Sequence, residues 1–123
     1  MQSGPDVVRG YLDAMVARDW PGVAATLAPG VERFGPYQDD VRGRDEYVEF
    51  LRATFDWMQG YTMDVTRIWG SDDRVCAELA ETVTIDGERL RTEEALVVEL
   101  AGGIITRVAI YLRSSTSTPA PPA

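Results

Sequence analysis

Apolar residues recur along this chain at two spacings, helical over most of the first half and alternating over most of the second. Val8, Tyr11, Leu12, Met15 and Val16 follow the helical period and predict a first helix over about residues 5–18, opened by Ser3 with Asp6 in its first turn. Asp19 is placed to cap a shorter second helix. Pro21 stands in its first turn, Trp20, Val23 and Leu27 on its inner face, and Pro29-Gly30 as its stop. A short strand from Val31 to about Tyr37 precedes an acidic loop, Gln38-Asp39-Asp40. Tyr47, Phe50, Leu51, Phe55 and Met58 then predict a third helix from about Arg44 to Met58. Beyond Gly60 the spacing is that of strands: Tyr61 to Trp69, then Val75 to Tyr111 as strand, turn, strand, turn, strand.

The sharpest local signal is Ile85-Asp86-Gly87-Glu88. Asp-Gly between alternating segments favours a two-residue type I′ turn, whose central residues both need positive φ. Pairing Ile85 with Glu88 sets Val83 against Leu90, Glu81 against Thr92, Leu79 against Glu94 and Ala77 against Leu96. Side chains alternate, so Glu81 and Glu94 fall on the otherwise apolar face as diagonal neighbours, roughly 7–8 Å apart at the backbone. After Leu100 two registers are open. A two-residue Gly102-Gly103 turn pairs Ala101 with Ile104 and leaves an apolar face exposed, which calls for a partner surface such as a second copy of the chain. A three-residue loop turns Ile104, Val108, Ile110 and Leu112 inward instead.

A carboxylate on a buried face is costly unless it is paired, hydrogen-bonded or protonated. Two of them close together repel, which raises the pKa of one. The pair therefore suits a general acid/base site in a pocket. It also suits a structural ion pair, with Arg107 or Arg67 clamping both glutamates into a rigid floor.

Composition narrows the chemistry. The chain has 123 residues, the size of one domain, and a net charge of −8, which disfavours nucleic-acid backbones and anionic membrane surfaces. No histidine or lysine is present, so every basic residue is arginine. Histidine-dependent triads, Schiff-base chemistry and a phosphate-loop lysine are excluded, and the lone Cys76 cannot supply a zinc site. Asp39-Asp40 lacks the dense oxygen spacing of calcium loops, so no metal or other cofactor is expected. One cysteine, no apolar run of membrane-spanning length and no secretory pattern at the N-terminus point to a cytoplasmic chain. Residues 1–5 are expected to fray. The stretch from Ser114 to Ala123, rich in Ser, Thr and Pro, is expected to be disordered and without activity.

Helix, helix, strand, helix and four antiparallel strands, with Val8-x-x-Tyr11-Leu12, Arg18-Asp19-Trp20, Leu27-Ala28-Pro29-Gly30-Val31 and Val41-Arg42-Gly43-Arg44-Asp45 ahead of Phe50, resemble the SnoaL-like branch of the nuclear transport factor 2-like superfamily. The resemblance covers about residues 6–113. It implies an α+β fold in which a cone-shaped, curved antiparallel sheet wraps a pocket closed by three N-terminal helices. It also implies a homodimer through the outer sheet face, which favours the two-residue Gly102-Gly103 turn. Tyr11 falls where ketosteroid isomerases of the superfamily place an oxyanion-stabilising tyrosine, and Glu94 lies near their protonated aspartic acid. Their general-base aspartate falls at Phe34 or Gly35, which cannot serve. Glu81 matches one acidic position of limonene-epoxide-hydrolase-like enzymes, whose neighbouring arginine falls at Leu79 and whose last-strand aspartate falls at Ala109.

These readings converge on acid/base chemistry upon a small apolar molecule such as a steroid, terpenoid or polyketide fragment. Glu81 serves as base or water activator, and Glu94 and Tyr11 serve as hydrogen-bond donors. Met15, Trp20, Phe34, Tyr47, Phe50, Phe55 and Tyr111, with Arg107, are the expected lining. A non-catalytic binding or dimerisation module of the same fold is the alternative.

Overall fold

In the computed structural model, residues 2–37, 39–114 and 118–120 are described. The elements are α1 (Gly4–Val16), α2 (Trp20–Thr26), β1 (Leu27–Phe34), β2 (Val41–Arg42), α3 (Arg44–Trp57), β3 (Gln59–Gly70), β4 (Arg74–Ile85), β5 (Glu88–Ala101), β6 (Ile104–Leu112) and β7 (Thr118–Pro119). Ser3 caps α1 by accepting from the Asp6 N–H, and Asp19 caps α2 by accepting from the Gly22 N–H. Helix α1 begins inside the stretch expected to fray, because the Gly4 N–H is bonded to Asp72 of the β3–β4 turn at 3.1 Å. No described helix is long and apolar enough to cross a membrane.

The strands form one open sheet in the order β2-β1-β6-β5-β4-β3, with β7 pairing the free stretch of β5. The sheet is mixed, not wholly antiparallel, because β1 lies parallel to β6. Helices α1 and α3 cover its inner face. Val8, Leu12, Val31, Tyr47, Val98, Ile105 and Val108 are almost wholly buried between the layers. Burial of that apolar surface is the main force holding helices to sheet.

The β4–β5 hairpin has the register that Asp86-Gly87 dictates: Ile85 pairs with Glu88, Glu81 with Thr92, and Leu79 with Glu94. Asp86 and Gly87 both take positive φ, 52° and 78°, as a type I′ turn requires. The β5–β6 turn is also the two-residue one, with Ala101 opposite Ile104. The register then shifts between Glu99 and Leu100, and Val98 faces Val108, Leu96 faces Ile110 and Glu94 faces Leu112. One extra residue, Thr106, makes the bulge, and its hydroxyl donates to the Glu99 carbonyl at 3.1 Å. A bulge reverses the side-chain parity of everything beyond it. Val108, Ile110 and Leu112 therefore turn inward, and the apolar face that an unbulged turn would expose does not form. A second bulge in β3, between Val65 and Arg67, turns Arg67 outward and Ile68 against Ala77.

Residues 115–117 and 121–123 of the polar tail lie outside the described residues, as does Gln38 of the acidic loop. The described part of the tail, Thr118–Pro119, adds a short strand opposite Leu90 and Arg91.

Candidate active site

The inner face of the sheet and the facing sides of α1 and α3 enclose a cavity of about 400 Å³, within the range of small-molecule sites. Tyr11 and Met15 reach it from α1, Phe50 and Phe55 from α3, and Glu81 and Glu94 from the central hairpin. Tyr37 and Trp57, both more than half exposed, line it on the solvent side.

A cluster of polar groups stands in this apolar surround. Glu81 accepts a hydrogen bond from the Tyr61 hydroxyl. Glu94 shares a hydrogen bond with Glu81, and burial, this bond and the Glu81 charge hold its carboxyl far above the usual range. Glu94 is therefore a neutral acid near pH 7, and its O–H faces the acceptor, Glu81. Burial and the Glu81 charge likewise push the Tyr61 phenol up, so it stays a donor. At the α1 side, the Tyr11 and Tyr47 hydroxyls lie 2.6 Å apart, both buried, and desolvation raises both phenols. Tyr47 stands behind Tyr11 with its ring edge-on to it.

Arg33 completes the set. It is 9% exposed, lines the cavity and lies with its guanidinium carbon 4.6 Å from the Phe50 ring centre. Its positive charge opposes the upward shifts of Glu94 and Tyr11.

Six of the expected residues thus share one cavity: Tyr11, Met15, Phe50, Phe55, Glu81 and Glu94. Trp20 and Tyr47 are one layer back, Trp20 edge-on to Phe55 at 5.6 Å. Phe34, Arg107 and Tyr111 stand elsewhere. The bulge at Thr106 turns Arg107 and Tyr111 to the outer face, where Tyr111 is 57% exposed and Arg107 pairs with Glu99 at 3.4 Å. Phe34 lies on that face too, beneath the Arg107 guanidinium at 4.7 Å. Arg67, the other candidate clamp, pairs with Glu78 outside.

Arg33 and Tyr61 were not anticipated. Both had a signal. Arg33 shares strand parity with the core residue Val31, and Tyr61 shares it with Met63, which pairs directly with Glu81.

An open curved sheet with three helices over one face is the architecture of the nuclear transport factor 2-like proteins. A protein of that class from Burkholderia thailandensis superposes with a TM-score of 0.81 at 21% identity, over 91% of this chain and 92% of its own. An LEH-like epoxide hydrolase from M. tuberculosis superposes with a TM-score of 0.77 at 22% identity, over 89% of this chain and 81% of its own. A protein with a ketosteroid isomerase-like fold from Catenulispora acidiphila, solved with trimethylamine, reaches 0.78 at 16% identity, over 87% and 85%. Within this class the chain belongs to the SnoaL-like domain family, whose model matches residues 8–108. No curated protein matches the sequence.

Proposed function

We propose that this protein is a cofactor-independent acid/base enzyme acting on a small, largely apolar molecule by isomerisation, cyclisation or epoxide opening. The observation that carries the reading is the pairing of a neutral carboxyl, Glu94, with an acceptor carboxyl, Glu81, on the floor of an apolar cavity. Glu81 takes a proton from substrate carbon or from a water. Glu94 and Tyr11 donate to the substrate oxygen on which charge develops.

Tyr61 has a defined part in this scheme. Glu94 has one O–H, so it can serve the substrate only by leaving Glu81. Tyr61 continues to donate to Glu81 while that happens. Tyr47, donating to Tyr11, would free the Tyr11 proton for the cavity. Arg67 and Arg107, the two arginines expected as a structural clamp on the carboxyls, are engaged on the outer face.

The test is a thermal-shift screen of steroids, terpenoid epoxides, polyketide fragments and fatty acids, followed by turnover assays of the hits. Wild type, Glu81→Gln and Glu94→Gln are compared. A ligand at a hundredfold excess over its dissociation constant adds about 2.7 kcal/mol of stability. Hits that are turned over by wild type and not by Glu81→Gln support the proposal. Hits indifferent to both substitutions overturn it.

The same reading includes a homodimer through the outer sheet face, where Val97 and Tyr111 are exposed. Sedimentation of wild type as a dimer and of Val97→Arg as a monomer supports it, and a monomeric wild type overturns it.

A further inference from the structure

A buried guanidinium is stable when its donors are matched by acceptors, and Arg33 is only partly matched. Its Nη1 meets the Asp39 carboxylate and the Asp39 carbonyl, each at 3.4 Å, which is long for a charge-assisted bond. Its Nε is buried and has no hydrogen-bond partner among the described residues. The Phe50 ring lies against the group, and the Tyr47 hydroxyl accepts from it on the far side, which leaves Nε the unmatched donor. The side chain lines the same cavity as Glu81 and Glu94, and Asp39 comes from the loop beyond Tyr37.

We propose that Arg33 is the anchor for a carboxylate on the substrate, so that the pocket takes small apolar acids. The inference deepens the acid/base reading by naming a substrate class and relies on it only for the use of this cavity. A carboxylate is planar and accepts two parallel N–H bonds from the edge of a guanidinium that includes Nε. The apolar body of the acid would lie against Met15, Phe50 and Phe55, towards the two glutamates. A chain carrying a net charge of −8 repels anions in general, so selection of an acid needs a buried local cation, and Arg33 is placed to be that cation. Asp39 holds part of the guanidinium from the loop side and competes with the incoming carboxylate.

The experiment is calorimetric titration of two matched pairs, decanoate with decanamide and cinnamate with cinnamide. The proteins are wild type, Arg33→Gln, Arg33→Lys and Asp39→Asn. Wild type is expected to bind each acid at least about tenfold more tightly than its amide, the scale of a charge-assisted pair. Arg33→Gln should lose that preference while holding the amide, and Arg33→Lys should keep only part of it. Asp39→Asn, on the half-buried loop, keeps an acceptor for the Tyr37 N–H and should bind the acids several-fold more tightly, and it tests the idea even where Arg33→Gln does not fold. Equal binding of acid and amide by wild type, no saturable binding of either acid, or a preference unchanged in Arg33→Gln overturns the proposal. An Arg33-dependent acid preference in a protein whose hits are not turned over keeps the anchor and removes the acid/base reading. Turnover of neutral apolar compounds with no acid preference does the reverse.

Discussion

Glu81 and Glu94 stand diagonally across the β4–β5 ladder and share one hydrogen bond inside an apolar cavity. The arrangement is stable only while the pair holds a proton, because two buried carboxylates at that distance repel.

Stability should therefore depend on pH through Glu94. Its folded-state pKa is raised, to about 10, above the unfolded value. The contribution is fully present below the ordinary carboxyl range and is lost as pH rises towards the folded value, by up to about 1.4 kcal/mol per pH unit. Glu94→Gln keeps a donor facing Glu81 and removes the titration. Urea unfolding at pH 5, 7 and 9 should show the variant gaining on wild type at each step. Parallel profiles for the two proteins would refute the assignment.

Tyr61→Phe should destabilise the protein at neutral pH by about 1–3 kcal/mol, the cost of leaving a part-buried acceptor short of its donor. Removing the acceptor as well should restore part of that loss. Chemical denaturation of Tyr61→Phe, Glu81→Leu and the double variant measures the coupling. Strict additivity would mean that the contact carries no energy.

The Tyr11–Tyr47 contact makes a comparable prediction. Tyr47→Phe leaves the Tyr11 hydroxyl without its partner in a dry site and should cost about 1–3 kcal/mol, whereas Tyr11→Phe leaves the Tyr47 hydroxyl its contact with Arg33 and should cost less. The double Phe variant should cost much less than the sum of the two singles. In turnover assays Tyr11→Phe should lower kcat, because Tyr11 lines the cavity, while Tyr47→Phe acts only through it.

Deleting Thr106 should remove the bulge and reverse the parity of β6 beyond it. Val108, Ile110 and Leu112 would then face out and Arg107 and Tyr111 in. The deletion variant should bind hydrophobic dye and lose its cooperative transition. A cooperative variant with native-like stability would show that the bulge relocates freely.

The hairpin and its acid pair could be read from residues alone because Asp86-Gly87 fixes a turn, and a turn fixes every pairing outward from it. Strand β6 could not be read so far. Gly102-Gly103 determined the first pair correctly, but no residue type announces that Thr106 will be left unpaired, and one unpaired residue relocates Arg107 and Tyr111 to the other face. The structure takes a third arrangement, with the turn of one register and, for Val108, Ile110 and Leu112 but not Ile104, the inward face of the other. Arg33 lies within the strand expected from Val31 and shares the parity of Val31, but an arginine alone does not announce burial, and only the packed helices place it inside. Phe34 is apolar, but Val31 and Arg33 have the opposite parity along β1 and take the inner side, which puts Phe34 outside. The parallel pairing of β1 with β6 joins segments far apart in the chain, and no local pattern encodes such a contact.

The hairpin has one more consequence, in time. Both glutamates belong to strands joined by a two-residue turn, so their relative position is a local property of the chain and can form within microseconds. The helices that dehydrate them, and Arg33 on β1, arrive through contacts between distant segments, which close later. If the acid pair is assembled in water first and sealed afterwards, the barrier to folding is expected to grow as pH rises above the ordinary carboxyl range, where one of the two carboxyls must take up a proton before the cavity closes.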